Sequence, residues 1–277
     1  MPSRASIPTW TRPSPPGRGT AAIPPTQLPF PNPRVGCCCW AASDSWESSH
    51  SCSHGAGWNP ASSRASATLQ PATGEIGRAA QVIFGILLFD EVEELDFAGP
   101  WEVFGSLAKM GKDVEVLGIA ESAQPLRCAN GLRVLPDHSF ASAPALDVVL
   151  VPGGMGTRRE IENPALLDWL RDAGKDCSWV TSVCTGSLLL HAAGFTSGRR
   201  ITTHWGFVDD LRERAKDATV LDDARFVADG NLVTAAGVSA GIDMALWLVG
   251  QIWDVELART AQRYMQYEPD PPYAHGH

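Results

Sequence analysis

The stretch Val82–Phe89, VIFGILLF, has no polar face. A strand of that pattern has to be covered on both sides, which places it inside a parallel sheet with helices above and below. Asp147–Val151 (DVVLV) and Ser178–Val183 (SWVTSV) read as two further buried strands. Between these runs, Leu95–Met110 and Pro164–Ala173 repeat apolar residues at helical spacing, and Val114–Ala120 is again strand-like. Asn130-Gly131 and Asp229-Gly230 are hairpin signals, predicting turns within Leu126–Val134 and Ala224–Ala235. Further helices are expected from Thr185 to about Ala193, over Gly206–Ala215, and as one long element from Ser239 to about Met265. Strands alternating with helices of these lengths predict a single flavodoxin-like α/β domain over residues 80–273, its mostly parallel sheet covered on both faces.

Residues 1–79 are different in kind. They hold 12 of the 21 prolines, with much Ser, Ala and Arg, and segments such as TRPSPP cannot bury enough apolar surface to offset the entropy of ordering them. This segment is expected to be disordered, or to reflect a start codon placed too far upstream. It contains Cys37, Cys38, Cys39, His50, Cys52 and His54, whose types would suit zinc but whose spacing fits no familiar finger, so no metal is expected. No run resembles a signal peptide or a membrane span, and an odd count of seven cysteines does not form a disulfide framework. A reduced, cytoplasmic protein is the expectation. The net charge of −9 argues against nucleic acid and anionic membranes as partners and leaves a small neutral substrate open.

Cys184 is the residue on which the chemistry is expected to rest. A buried strand delivers the chain into Cys184-Thr185-Gly186-Ser187 and an apolar helix begins at once, the arrangement of a nucleophile elbow above the carboxyl edge of the sheet. The helix N-terminus is expected to favour thiolate and bring the pKa into the ~3.5–7.5 range of activated cysteines. Cys177, at the front of the same strand, reads as a buried hydrophobe. Asp96, in the loop entering the first helix, should reach the same edge and serve as the proton-handling partner, and it can also cap that helix together with Pro100. Glu91, Glu93 and Glu94 read as solvated charges. Pro152-Gly153-Gly154 closes another buried strand there, so an N–H, that of Gly154, can face a developing anion with the N–H of Thr185 as second donor. The Thr185 side chain can bind substrate and cap its helix.

The runs VTSVCTGSLLL (180–190), GRRITTHW (198–205) and GVSAGID (237–243), with LDFAGPWEVF (95–104) and VPGG (151–154), resemble the ThiJ/PfpI superfamily, and within it the isonitrile hydratases, down to YEPDPP at 267–272. The resemblance spans residues 82–273. It implies a cysteine-dependent hydro-lyase with no cofactor, acting as a homodimer whose elbow lies near the subunit interface. It places an acidic residue opposite the cysteine at Asp96, and a histidine near it at His204. Proteases of the superfamily carry histidine directly after the cysteine, where this chain has Thr185, so peptidase activity is not expected. Isonitrile hydratases commonly carry threonine where Ala98 stands, a departure that bears on the subfamily. The same domain forms the sensory half of AraC-type transcription regulators, which leaves a stand-alone ligand or redox sensor as the alternative.

Overall fold

The computed structural model describes residues 81–270. The segment expected to be disordered, and the cysteine–histidine group within it, lie outside the described residues. Strand β1 (Val82–Leu87) leads to helix α1 (Glu94–Lys109) and strand β2 (Val114–Ala120). A small hairpin of β3 (Leu126–Arg127) and β4 (Arg133–Val134) precedes β5 (His138–Ser139) and β6 (Val148–Val151). Helices α2 (Thr157–Glu160) and α3 (Pro164–Asp176) follow, then β7 (Trp179–Val183) and α4 (Gly186–Ala192). After β8 (Arg200–Ile201) come a 3-10 turn over Trp205–Phe207, α5 (Val208–Arg214) and β9 (Thr219–Val220). Strands β10 (Phe226–Asp229) and β11 (Leu232–Ala235) precede α6 (Ala240–Ile252) and α7 (Val255–Tyr264).

Seven strands make one sheet in the order β10-β11-β7-β6-β1-β2-β5. Every pairing is parallel except that of β10 with β11, the expected hairpin at Asp229-Gly230. The apolar runs read from the sequence supply the middle of this sheet. Phe84, Ile86, Leu87, Val148, Leu150 and Val151 are fully buried, and Phe84 stacks on Phe104 of α1 with ring centroids 4.1 Å apart. Burying side chains of this size contributes about 1.5–3 kcal/mol each relative to exposure, which is why the sheet centre tolerates no polar face. Because β1, β6, β7 and β11 are parallel, their carboxyl ends converge on one edge.

The single long helix expected after Ser239 is instead two. The backbone leaves helical geometry at Trp253 (φ −117°, ψ −89°), and the Asp254 carboxylate caps α7 by accepting the Leu257 N–H at 2.8 Å. The break carries no glycine or proline, so nothing in local composition announced it. It turns α7 back to pack on α6 and α1, where Lys109 Nζ donates to Tyr264 Oη at 2.8 Å.

Candidate active site

Cys184 sits in the left-handed region at φ +56°, a conformation that costs an L-residue about 1–2 kcal/mol. The surroundings hold it there from both sides. Its N–H donates to the carbonyls of Ala235 and Ala236 at 3.1 and 2.9 Å, and its own carbonyl accepts the hydroxyls of Thr203 at 2.9 Å and Ser187 at 3.2 Å. A Cβ at Gly186 would lie 2.0 Å from the Val151 carbonyl oxygen, so only glycine lets the chain turn so close to the end of β6. The sequence therefore builds a strained elbow whose side chain, though buried, lines the opening at the sheet edge.

Asp96 lies in the first turn of α1 rather than in the loop before it, and is fully buried. It does not cap the helix: the N-cap is Glu93, and Pro100 lies within the helix rather than at its start. The carboxylate instead accepts the Gly153 N–H at Oδ2, 2.8 Å away, while Oδ1 is buried without a satisfied hydrogen bond. Burial raises the Asp96 pKa to about 7, with the Glu93 charge adding to it; the Gly153 N–H and the Cys184 thiol act in the opposite sense.

The thiol itself runs against the expectation of a lowered pKa. Burial, followed by the charge on Asp96, pushes Cys184 up to about 12, although Thr185 and the Val238 N–H hydrogen-bond the sulfur and favour thiolate. Helix α4 has only seven residues, too weak a dipole to offset the desolvation of a side chain 7% exposed. At neutral pH the thiol therefore keeps its proton, and the Asp96 carboxyl beside it, when ionised, is the group that can accept it.

The glycine N–H groups are also differently employed. Gly154 (φ +127°) donates to Thr185 Oγ1 at 3.1 Å, and Gly153 donates to Asp96, so neither is turned toward a developing anion. The donors on the sulfur are those of Thr185 and Val238. Thr185 makes no side-chain cap to its helix. Its hydroxyl joins a buried chain with Gly154 and with Thr157 Oγ1, 3.2 Å away. His204 lines the same opening, its Nδ1 accepting the Gly206 N–H at 3.2 Å, and burial followed by the nearby Arg158 charge lowers its pKa. The opening is a pocket of about 140 Å³ lined by Glu93, Met155, Arg158, Cys184, His204 and Val238 among others.

A family model described as the DJ-1/PfpI family matches residues 83–251. The chain belongs to the DJ-1/PfpI family. It is 41% identical over 192 residues to the isonitrile hydratase of Pseudomonas putida, a match covering 69% of this chain and 81% of that one. It is 33% identical over 134 residues to the transcriptional regulator CdhR of Pseudomonas aeruginosa, covering 48% of this chain and 39% of the regulator. The crystal structure of a ThiJ/PfpI family protein from Pseudomonas syringae superposes with a TM-score of 0.65 at 34% identity, covering 70% of this chain and 78% of that one.

Cys184, Asp96, Thr185, Gly153, Gly154 and His204 thus come together at one edge of this DJ-1/PfpI domain, although the glycines act by holding Asp96 and Thr185. Val238 and Arg158 also line the site, and residue type and spacing do not mark them as such. Val238 follows β11, the parallel neighbour of β7, so the strand order alone would have brought it to the elbow. Arg158 is on α2, a four-residue helix with no periodicity to read. Glu94 is no mere solvated charge: it accepts the N–H groups of Asn130 and Leu132 and pins the β3–β4 hairpin, and Glu93 accepts from Asn130 Nδ2 at 3.1 Å. Glu91 has φ +63° and pairs with Arg159 at 3.4 Å. Ala98 lines a separate groove with Trp101 and Leu135, away from the Cys184 pocket, so the missing threonine hydroxyl removes nothing from this site. Among the described residues no helix is long and apolar enough to cross a membrane.

Proposed function

We propose that the protein is an isonitrile hydratase-like enzyme, adding water to a small isonitrile to give an N-substituted formamide. The observation that carries this reading is the buried Asp96 carboxyl, with one oxygen unpartnered, against a strained cysteine at an open pocket. An isonitrile needs a nucleophile and a proton delivered to the same carbon, with no oxyanion formed in the first step. That demand fits a thiol–carboxyl pair better than it fits acyl transfer, since both glycine N–H groups are already engaged.

In the proposed sequence Asp96 takes the Cys184 proton as sulfur bonds to the terminal isonitrile carbon, and returns it to that carbon. The product is a thioimidate, R–N=CH–S. Asp96 then draws a proton from water as the water oxygen adds to the carbon, and passes that proton to nitrogen. Cleavage of the C–S bond releases R–NH–CHO, and the hydroxyl proton restores the thiol. The sum is isonitrile plus water, with no cofactor required. Trp205, 80% exposed, and Met155, 61% exposed, lie beside the pocket and fit a homodimer that covers this face.

Identity to CdhR supports a second reading, a ligand or redox sensor without turnover. Incubation with a panel of small isonitriles, following formamide by chromatography, separates the two. The hydratase reading expects turnover by the native protein and none by Cys184→Ala. A native protein inert toward the whole panel would favour the sensor.

A further inference from the structure

The pocket beside Cys184 holds a guanidinium that forms no ion pair with any carboxylate of the described residues. Arg158 is half-buried, and burial, the largest influence on it, lowers its pKa. Its Nη1 donates to the Gly154 carbonyl at 2.7 Å and its plane lies over the Phe207 ring, 4.3 Å from the centroid. Those contacts fix its position but bring no negative charge. Arg158 takes part in no ion pair among the described residues; of the two groups whose charge would attract it, Cys184 keeps its proton at neutral pH and Asp210 is itself paired with Arg214. Glu93 also lines the pocket, and its charge acts on His204 and Asp96, but its Oε1 accepts Asn130 Nδ2 and it does not pair with Arg158.

Beside Arg158 stands His204. Because its Nδ1 accepts the Gly206 N–H, the neutral ring carries its proton on Nε2. The pocket therefore offers a cationic fork and a neutral N–H donor close to the nucleophile. A desolvated charge without a partner is costly, and a planar guanidinium held rigidly is suited to a carboxylate.

We propose that Arg158 and His204 form an anion subsite, and that the preferred substrate carries a small carboxylate a few bonds from the carbon attacked by Cys184. This replaces the neutral substrate expected from net charge, since Arg158 brings a fixed cation to the pocket of an acidic molecule. The volume of about 140 Å³ admits only a handful of heavy atoms, well below the roughly 300 Å³ at which drug-sized sites begin. The inference rests on the hydratase reading only for the identity of the reacting group.

The test uses alkylating agents, so it does not depend on isonitrile turnover. The rates at which iodoacetate and iodoacetamide label Cys184 are measured by mass spectrometry, and their ratio is compared with that of a small free thiol. The subsite should raise the iodoacetate-to-iodoacetamide ratio roughly 10-fold or more, the effect of a charge-assisted hydrogen bond. Arg158→Gln should return the ratio to the free-thiol value, and Arg158→Lys should retain most of the preference. Should Arg158→Gln fail to fold, protection decides: acetate should slow labelling of the native protein by iodoacetamide where acetamide does not. A native ratio equal to that of the free thiol, or no protection by acetate, overturns the subsite. Turnover of isonitriles with no anion preference would leave the hydratase reading and remove the subsite, and the converse result would do the opposite.

Discussion

Burial holds the Asp96 carboxyl near neutrality, and that decides both its chemistry and its cost. The folded-state pKa of about 7 lies above the ordinary 3.8, so the native protein binds this proton more tightly than the unfolded chain does. The contribution of Asp96 to stability is therefore most favourable below pH 3.8 and is lost as pH rises to about 7, by up to about 4 kcal/mol. Asp96→Asn keeps an acceptor for the Gly153 N–H and removes the ionisation. Its melting temperature should exceed that of the native protein by more at pH 8 than at pH 5, and an equal difference at both would show that Asp96 titrates normally. The same substitution should lower formamide formation by about 10²–10⁴-fold, the usual contribution of a positioned acid or base. In the native protein kcat/KM should rise with pH to a plateau above about 7, since only ionised Asp96 can accept the thiol proton. Asp96 was legible because its chain position follows a buried strand at the edge where Cys184 emerges. Its charge state was not, because desolvation depends on what α1, β6 and β7 place around it.

The elbow shows how an element carries information that its residue types do not. The strand–Cys–Gly–helix order was readable, and so was the need for glycine at Gly186, where a Cβ would strike the Val151 carbonyl oxygen. The left-handed Cys184 backbone was implied only by analogy with other elbows, and it makes a specific prediction. At an ordinary position Gly is less stable than Ala by about 0.5–1 kcal/mol. Here the φ of +56° reverses the balance, so Cys184→Gly should melt at or above Cys184→Ala. The usual order, measured by thermal denaturation, would mean that the turn is not held left-handed. The α6–α7 break is silent in the sequence for a related reason. Apolar periodicity continues across Ile252–Val255, and a single Asp that caps one helix reads equally well as an exposed residue within a longer one.

For the whole molecule, the parallel core strands specify the fold because each run is apolar on both faces, and the edge strands β5 and β10 are short or antiparallel, where pattern is weakest. The family match at residues 83–251 lies within the region of strand and helix periodicity, and residues 1–79 supply no such pattern. A chain beginning at Gly77 should therefore unfold in one cooperative transition at the same temperature as the full chain; loss of cooperativity would show that the preceding segment belongs to the domain. The proposed chemistry turns on a covalent bond between Cys184 and substrate. Addition to an isonitrile has no leaving group, so rapid acid quenching of the protein with excess isonitrile, followed by peptide mass spectrometry, should show the peptide containing Cys184 heavier by the whole mass of the substrate, the adduct decaying as formamide appears. Formamide released without that adduct, or an adduct confined to Cys128 or Cys177, would rule out catalysis through Cys184.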